Sequence, residues 1–259
     1  MTRWDAKLYA QNTAHHRQFD AAILRGVDLD TTARVLDLGC GSGDFTATLA
    51  GLVPEGSVLG VDADPDMVRV AAERRAAANT EFQVLPAQRI SALLPAGSFD
   101  AVLSVATLHW IPSQDHALVL AGIARILRPG GLFRAEFGGA GQIAAARSIL
   151  DEEAHRVGGD APPWCFPEPD SYRDLLTAAG FQVADGWVRL LPQRRSMPDR
   201  DALIGWLRSQ VLVGYDSVVP ASRQMEFRAA AERRAVGELR RADGTFDQDY
   251  VRLDLRVQR

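Results

Sequence analysis

Three glycines at alternate positions, Gly39, Gly41 and Gly43, directly follow the apolar run Val35-Leu36-Asp37-Leu38. A short apolar run ended by such a loop reads as a buried strand whose chain must turn sharply. Glycine allows the turn because positive φ costs it nothing, and a main chain without side chains can approach a ligand closely. In an open parallel sheet this turn falls at the carboxyl end of the strand, where ligands bind. The chain after the loop, Phe45 to Leu52, reads as a helix.

The same alternation continues downstream. Ser57 to Val61 reads as a strand, and Asp64 with Pro65 starts a helix that runs to about Ala78. A short strand near 81–85 follows, then a strand over Phe99 to Val105. A helix over Ala117 to Leu127 is stopped by Pro129-Gly130-Gly131, and Leu132 to Phe137 reads as the fifth strand. A helix over 17–26 precedes them all. After Phe137 the pattern changes. Helices are expected over Gln142 to Val157, Asp170 to Ala179, 199–210 and 221–241, with a strand over 181–191. Mixed charges mark the run Arg223 to Arg241 as surface. Tyr250 to Val257 alternates apolar and charged residues as an edge or antiparallel strand does. The fold class expected is α/β: a doubly wound, mostly parallel seven-stranded sheet with an antiparallel last strand and a helical cap insertion. One domain is expected over 1–259, with its core at about 30–191 and 249–259 and the insertion at about 192–248.

Composition narrows the function. Hydrophobic residues make up 47% and charged residues 24% of 259, which supports a packed core. The net charge of −4 argues against a nucleic-acid partner. Cys40 and Cys165 are the only cysteines, too few for a disulfide framework, and no cluster has metal-ligand spacing. No apolar run approaches a membrane span, so the expected location is the cytoplasm. Nothing in the sequence fixes an oligomeric state.

Asp62 ends the second strand, 21 residues beyond Gly41. A carboxylate there can accept two hydrogen bonds from a ribose diol. The glycines at 39 and 41 begin a dinucleotide fingerprint, but its sixth position holds Asp44. That carboxylate would repel a pyrophosphate at the helix start. A nucleoside without phosphate avoids the conflict, and S-adenosylmethionine is such a ligand. Asp37 is placed either to order the loop amides, to receive the ligand's ammonium through water, or simply to cap the strand end.

Val35-Leu36-Asp37-Leu38-Gly39-Cys40-Gly41-Ser42-Gly43 and Gly60-Val61-Asp62-Ala63-Asp64-Pro65 resemble the class I S-adenosylmethionine-dependent methyltransferases. Phe99-Asp100-Ala101-Val102-Leu103-Ser104, Leu108-His109-Trp110 and Arg128-Pro129-Gly130-Gly131 are similar to later motifs of that family. These motifs cover about residues 33–137. Looser likenesses, at Trp4-Asp5, Tyr9, Tyr172, Gly180-Phe181, Trp206-Leu207-Arg208 and Asp243-Gly244, resemble the trans-aconitate methyltransferase branch.

The resemblance implies that Asp37, Gly39, Cys40 and Gly41 line the methionine end of S-adenosylmethionine and that Asp62 holds the ribose. Ala63 and Met67 would flank the adenine, although Met67 serves equally as core packing. The family often has an acid after the third strand; here Pro86 stands there, and Ala87 and Gln88 would take over the adenine contact. Ser104 would line the cofactor at the end of the fourth strand. Residues 1–29 would fold over as a lid, bringing Tyr9 or His16 to the cofactor or substrate.

Methyl transfer from a sulfonium is an in-line displacement with a neutral leaving group, so the protein must align the reactants and exclude water. His109, Trp110 and Tyr9 are the candidates at the reacting end. His109 would act as a base towards a hydroxyl or amine, hydrogen-bond a carboxylate, or only order its loop. Trp110 would wall the site. Trp164, Tyr172, Arg194, Arg195, Trp206, Arg208 and Tyr215 are candidates for a substrate pocket, the arginines having a solvated face as the alternative. The expected function is methyl transfer to a small molecule with a carboxylate or hydroxyl acceptor. The alternatives are a protein that binds S-adenosylmethionine without transferring its methyl, and a nicotinamide-dependent oxidoreductase.

Overall fold

The computed structural model describes residues 23–259, apart from the side chains of Asp185 and Arg194. The chain divides into two compact units. One comprises 23–140, Trp164–Leu191 and Arg252–Arg259; the other comprises Gly141–Pro163 and Pro192–Val251.

The first unit carries the sheet. Its strands are β1 (Arg34–Leu38), β2 (Ser57–Asp62), β3 (Thr80–Val84), β4 (Phe99–Val105), β5 (Leu127–Gly138), β6 (Gln182–Met197) and β7 (Phe246–Gln258), the last two running beyond the unit. They lie in the order β3-β2-β1-β4-β5-β7-β6. The first five pair in parallel and β7 pairs antiparallel to β5. Because β1 is central and buried on both faces, Val35, Leu36 and Leu38 are wholly apolar and almost fully buried. The order reverses beside β1, which makes the carboxyl ends of β1 and β4 the crevice where such sheets bind ligands.

Helices α1 (Asp44–Leu52), α2 (Pro65–Arg75), α3 (Ile90–Leu93), α4 (His116–Ile126) and α6 (Pro169–Ala178) belong to this unit, while α5 (Ala144–Arg156), α7 (Arg200–Trp206) and α8 (Gln224–Glu238) belong to the other. Asp64 caps α2 as its sequence implies, accepting from the backbone N–H groups of Asp66 and Met67. One core cluster joins Phe133, Ala135 and Phe137 of β5 to Leu120 and Ile123 of α4 and to Tyr172 and Leu176 of α6. Within it Phe137 meets Tyr172 at 5.3 Å and Phe133 meets Phe181 at 5.5 Å between ring centroids. Such pairs contribute about 0.5–1.5 kcal/mol each beyond their buried area. Leu49 of α1 packs with Val35, Val58 and Leu103 on the opposite face.

Several boundaries differ from the sequence reading. Helix α2 stops at Arg75 rather than Ala78, because Ala76 is extended and the Ala77 N–H turns to Thr80 Oγ1. Helix α4 stops at Ile126, before Pro129-Gly130-Gly131, because Leu127 already pairs with Phe99. β6 runs six residues past 191, so the stretch to Met197 is strand and not part of a helical insertion. The helix expected over 199–210 is α7 alone, followed by a π turn over Leu207–Val211 and a 3-10 turn over Leu212–Ser217. Helix α8 is not simply surface: it buries Phe227, Ala230, Ala231 and Ala235. β7 starts at Phe246 and lies inside the sheet, between β5 and β6.

That interior placement explains the charges of β7. Arg134 of β5 forms an ion pair with Asp254 of β7, and Arg252 binds Glu136 at 3.2 Å; all four side chains are 3% exposed or less. Arg189 of β6 adds a second bond to Asp254 at 3.0 Å. Arg134 also donates to the carbonyls of Ile23 and Leu255. Charges so far from water are tolerable only when paired and hydrogen-bonded in this way.

Candidate active site

The glycine loop is assembled by backbone bonds. The N–H groups of Gly39 and Cys40 both donate to Val61 O, at 2.8 and 2.9 Å, which ties the tip of β1 to the tip of β2. Gly39, Gly41 and Gly43 all have positive φ, at 81°, 51° and 82°. A Cβ on Gly39 would lie 2.1 Å from Thr107 Oγ1, so this glycine is required by the neighbouring loop. A Cβ on Gly41 would meet nothing within 4 Å. Among the described residues, no side chain occupies the space that the bare main chain of Gly41 faces.

Asp62 closes the loop from below. Its Oδ2 accepts the Gly41 N–H at 3.0 Å and its Oδ1 accepts the Asp64 N–H at 2.9 Å. Burial pushes its carboxyl above the ordinary aspartate range, partly opposed by these N–H bonds. A carboxylate has about four acceptor sites, so Asp62 keeps capacity for a further donor beside these backbone N–H groups. Asp37 is buried, and its Oδ2 accepts from Thr46 Oγ1 at 2.6 Å, which joins the end of β1 to α1. Asp44, the first residue of α1, is bonded to Ser42 Oγ and pairs with Arg75 at the surface. Burial pushes the Cys40 thiol upward, with Asp37 and Asp62 adding to the effect.

Two segments border the loop. After β3, Leu85 N–H donates to Asp62 O at 2.8 Å, which brings Ala87 and Gln88 to this end of the sheet. Gln88 gives its amide N–H to Asp115 Oδ2 at 3.1 Å. Ala63 is half-buried, while Met67 is buried on α2. After β4, Ala106 takes a positive φ of 55°, unusual for a residue with a Cβ. This kink turns the chain so that Thr107 Oγ1 donates to Gly39 O at 3.2 Å and Leu108–Trp110 forms one 3-10 turn. Ser104 is buried and its hydroxyl donates to Leu38 O at 2.8 Å, a bond between β4 and β1.

His109 and Trp110 stand on that turn, with ring centroids 5.4 Å apart. His109 Nδ1 accepts the Gly138 N–H at 3.3 Å, from the end of β5. Phe166 approaches the His109 ring at 5.8 Å, and Trp164 meets Trp110 edge-on at 5.6 Å. Cys165 N–H donates to His109 O at 3.1 Å and fixes the aromatic segment there. The sequence reading did not foresee this partnership of Trp164–Phe166 with His109. Its only signal was two aromatics in a Pro-rich loop.

The structure brings together Asp37, Gly39, Cys40, Gly41, Asp62 and Ala63 around the β1 and β2 tips, with His109 and Trp110 on the adjoining turn. Tyr9 and His16 lie outside the described residues. Of the pocket candidates, Trp164 stands at this turn, the side chain of Arg194 lies outside the described residues, and four have other partners. Tyr172 is fully buried and bonded to His116, Tyr215 is fully buried and donates to Asp151, and Arg208 is held by both oxygens of Glu232. Arg195 lies over the Tyr250 ring at 4.8 Å.

Residues 35–131 match the methyltransferase domain family. The chain is 30% identical over 244 residues to a trans-aconitate 2-methyltransferase of Azoarcus sp. strain BH72, covering 90% of this chain and 89% of that one. It is 33% identical over 190 residues to an uncharacterised methyltransferase, C70.08c, of Schizosaccharomyces pombe, covering 70% and 71%. The crystal structure of the YcgJ protein of Bacillus subtilis superposes with a TM-score of 0.62 at 19% identity, covering 94% of this chain and 99% of that one. The chain therefore belongs to the class I S-adenosylmethionine-dependent methyltransferases. Among the described residues no helix is long and apolar enough to cross a membrane.

Proposed function

We propose that this methyltransferase acts on a small molecule and methylates a carboxylate oxygen, with a di- or tricarboxylic acid as the acceptor class. The relative named trans-aconitate 2-methyltransferase supports this, since the likeness runs through most of both chains. A hydroxyl acceptor is the second reading. A small-molecule acceptor also suits a net charge of −4 and accords with a cytoplasmic enzyme. We read residues 1–259 as one methyltransferase domain.

The residues present fit S-adenosylmethionine. The carrying observation is the pairing of Gly41, whose Cα faces space open among the described residues, with Asp62, which keeps acceptor capacity beside it. Asp62 would take the ribose hydroxyls, and the Gly39–Gly41 main chain with Asp37 would line the amino acid end. Ala63, Met67, Ala87 and Gln88 would border the adenine. When bound, S-adenosylmethionine supplies an electrophilic methyl group on a sulfonium. The chain's part is to hold the acceptor oxygen in line with that methyl and to exclude water. Trp110 and Phe166 contribute the apolar wall, and His109 orients the acceptor. A carboxylate acceptor would arrive already ionised, so no residue of the chain would have to take a proton from it.

The test is a mass-spectrometric assay of the purified chain with S-adenosylmethionine and trans-aconitate, set beside a hydroxy acid whose carboxyl is esterified. Methyl ester formation on trans-aconitate alone supports the carboxylate reading. Methylation of the esterified hydroxy acid alone replaces it with the hydroxyl reading.

A further inference from the structure

The bond between Gly138 and His109 decides which ring nitrogen carries the proton. A backbone amide has one proton to give and, at nitrogen, nothing to accept with. Its N–H points at His109 Nδ1, 3.3 Å away, so Nδ1 presents its lone pair. In a neutral imidazole the proton then sits on Nε2. We infer that His109 meets the acceptor as a hydrogen-bond donor through Nε2–H, not as a general base, and that it thereby selects acceptors that arrive already ionised. The inference rests on the reading of this turn as the acceptor end of a methyl-transfer site.

The surroundings hold the ring in that state. Trp110 and Phe166 flank it at 5.4 and 5.8 Å. Its own carbonyl is held by Cys165 N–H at 3.1 Å, so the backbone beneath the ring is fixed from the other side. A proton placed on Nδ1, in the other tautomer or in the imidazolium, would face the Gly138 N–H and leave that amide without its acceptor. A stranded amide is costly in a part-buried position. β5 ends at Gly138, so the donor sits at the last rung of the strand and cannot retreat without breaking the Arg252 register opposite it.

The selectivity follows from charge. A general base must offer a lone pair at the reacting end, and this tautomer offers a proton there. A neutral hydroxyl or a protonated amine would meet no group at His109 able to take its proton. A carboxylate carries its negative charge beforehand and is an acceptor that an N–H donor orients. Loss of one hydrogen bond to a charged group reduces turnover by about 10- to 100-fold.

The direct test is a long-range proton–nitrogen correlation spectrum of the full chain labelled with 15N-histidine, with S-adenosylhomocysteine added. The chain has five histidines, and the His109→Gln variant assigns the relevant set of signals. The expected pattern is the Nε2–H tautomer at neutral pH. An Nδ1–H pattern or a doubly protonated ring overturns the inference, whatever the enzyme's acceptor proves to be. A second measurement compares two variants with the tricarboxylate acceptor assayed above. His109→Gln keeps an N–H donor near the Nε2 position and has no basic lone pair, so it should hold turnover within about tenfold, while His109→Ala loses about 10- to 100-fold. Equal losses in the two variants count against a donor. If no carboxylate is methylated by the unaltered chain, the functional reading fails while the spectrum still judges the tautomer.

Discussion

The backbone N–H of Gly41 donates to Asp62 Oδ2 at 3.0 Å, joining two residues 21 positions apart in sequence. This carboxylate fixes the glycine loop, and in the function proposed above it would also take the ribose hydroxyls. Asp62→Ala removes both. The variant should bind S-adenosylhomocysteine about 100-fold more weakly by equilibrium dialysis, and Asp62→Asn about 10-fold, since the amide oxygen retains one acceptor. Unchanged affinity in Asp62→Ala would remove the ribose from this residue.

The two loop glycines should separate stability from binding. Gly41→Ala meets no atom of the described residues within 4 Å, and its positive φ costs about 1–2 kcal/mol. Its methyl group enters the space assigned to the cofactor, so affinity should collapse while urea denaturation shifts little. Gly39→Ala has the same φ problem and also drives its Cβ into Thr107. It should lose about 1–3 kcal/mol more, because overpacking displaces the turn that carries His109.

Arg134 and Asp254 form a buried pair on adjacent strands. Arg134→Met leaves Asp254 with Arg189 alone and should destabilise the fold by about 3–5 kcal/mol in urea denaturation. The double variant Arg134→Met with Asp254→Leu should recover much of that loss, because no unpaired charge is left behind. A double variant as unstable as the single one would show that the pair itself supplies net stability.

These charges also mark where the sequence was legible and where it was not. The β1 loop, Asp62 and the Asp64 cap were readable because each depends on residues close in the chain. The central strands were readable from their apolar runs, and β7 from its alternation of apolar and charged residues. Arg134, Glu136, Arg252 and Asp254 alternate with apolar residues and look like a solvated face. Only the antiparallel register of β5 and β7 turns them towards one another. Helix α8 looked exposed because its buried face is mostly alanine, which carries little hydrophobic signal among so many charges. The docking of Cys165 on His109 spans 56 residues and an irregular loop, and no periodicity encodes it.

His116 predicts a pH dependence. It is buried, with Nε2 on Ile111 O and Nδ1 accepting from Tyr172, and burial lowers its pKa below 6.5. The unfolded chain therefore binds a proton at this residue before the native chain does. Stability should be full above about pH 6.5 and fall as the pH drops from there through the lowered native value. Urea denaturation at a series of pH values should show this slope, and His116→Gln should flatten it. A slope unchanged in His116→Gln would assign it to other groups.

The most direct measurement is calorimetric titration of the whole chain with S-adenosylhomocysteine, beside the Gly41→Ala variant. The account predicts one site per chain in the unaltered protein and at least a 100-fold loss in Gly41→Ala, about 2.7 kcal/mol. Saturable binding of equal strength in both proteins, or no heat from either at millimolar ligand, would contradict it.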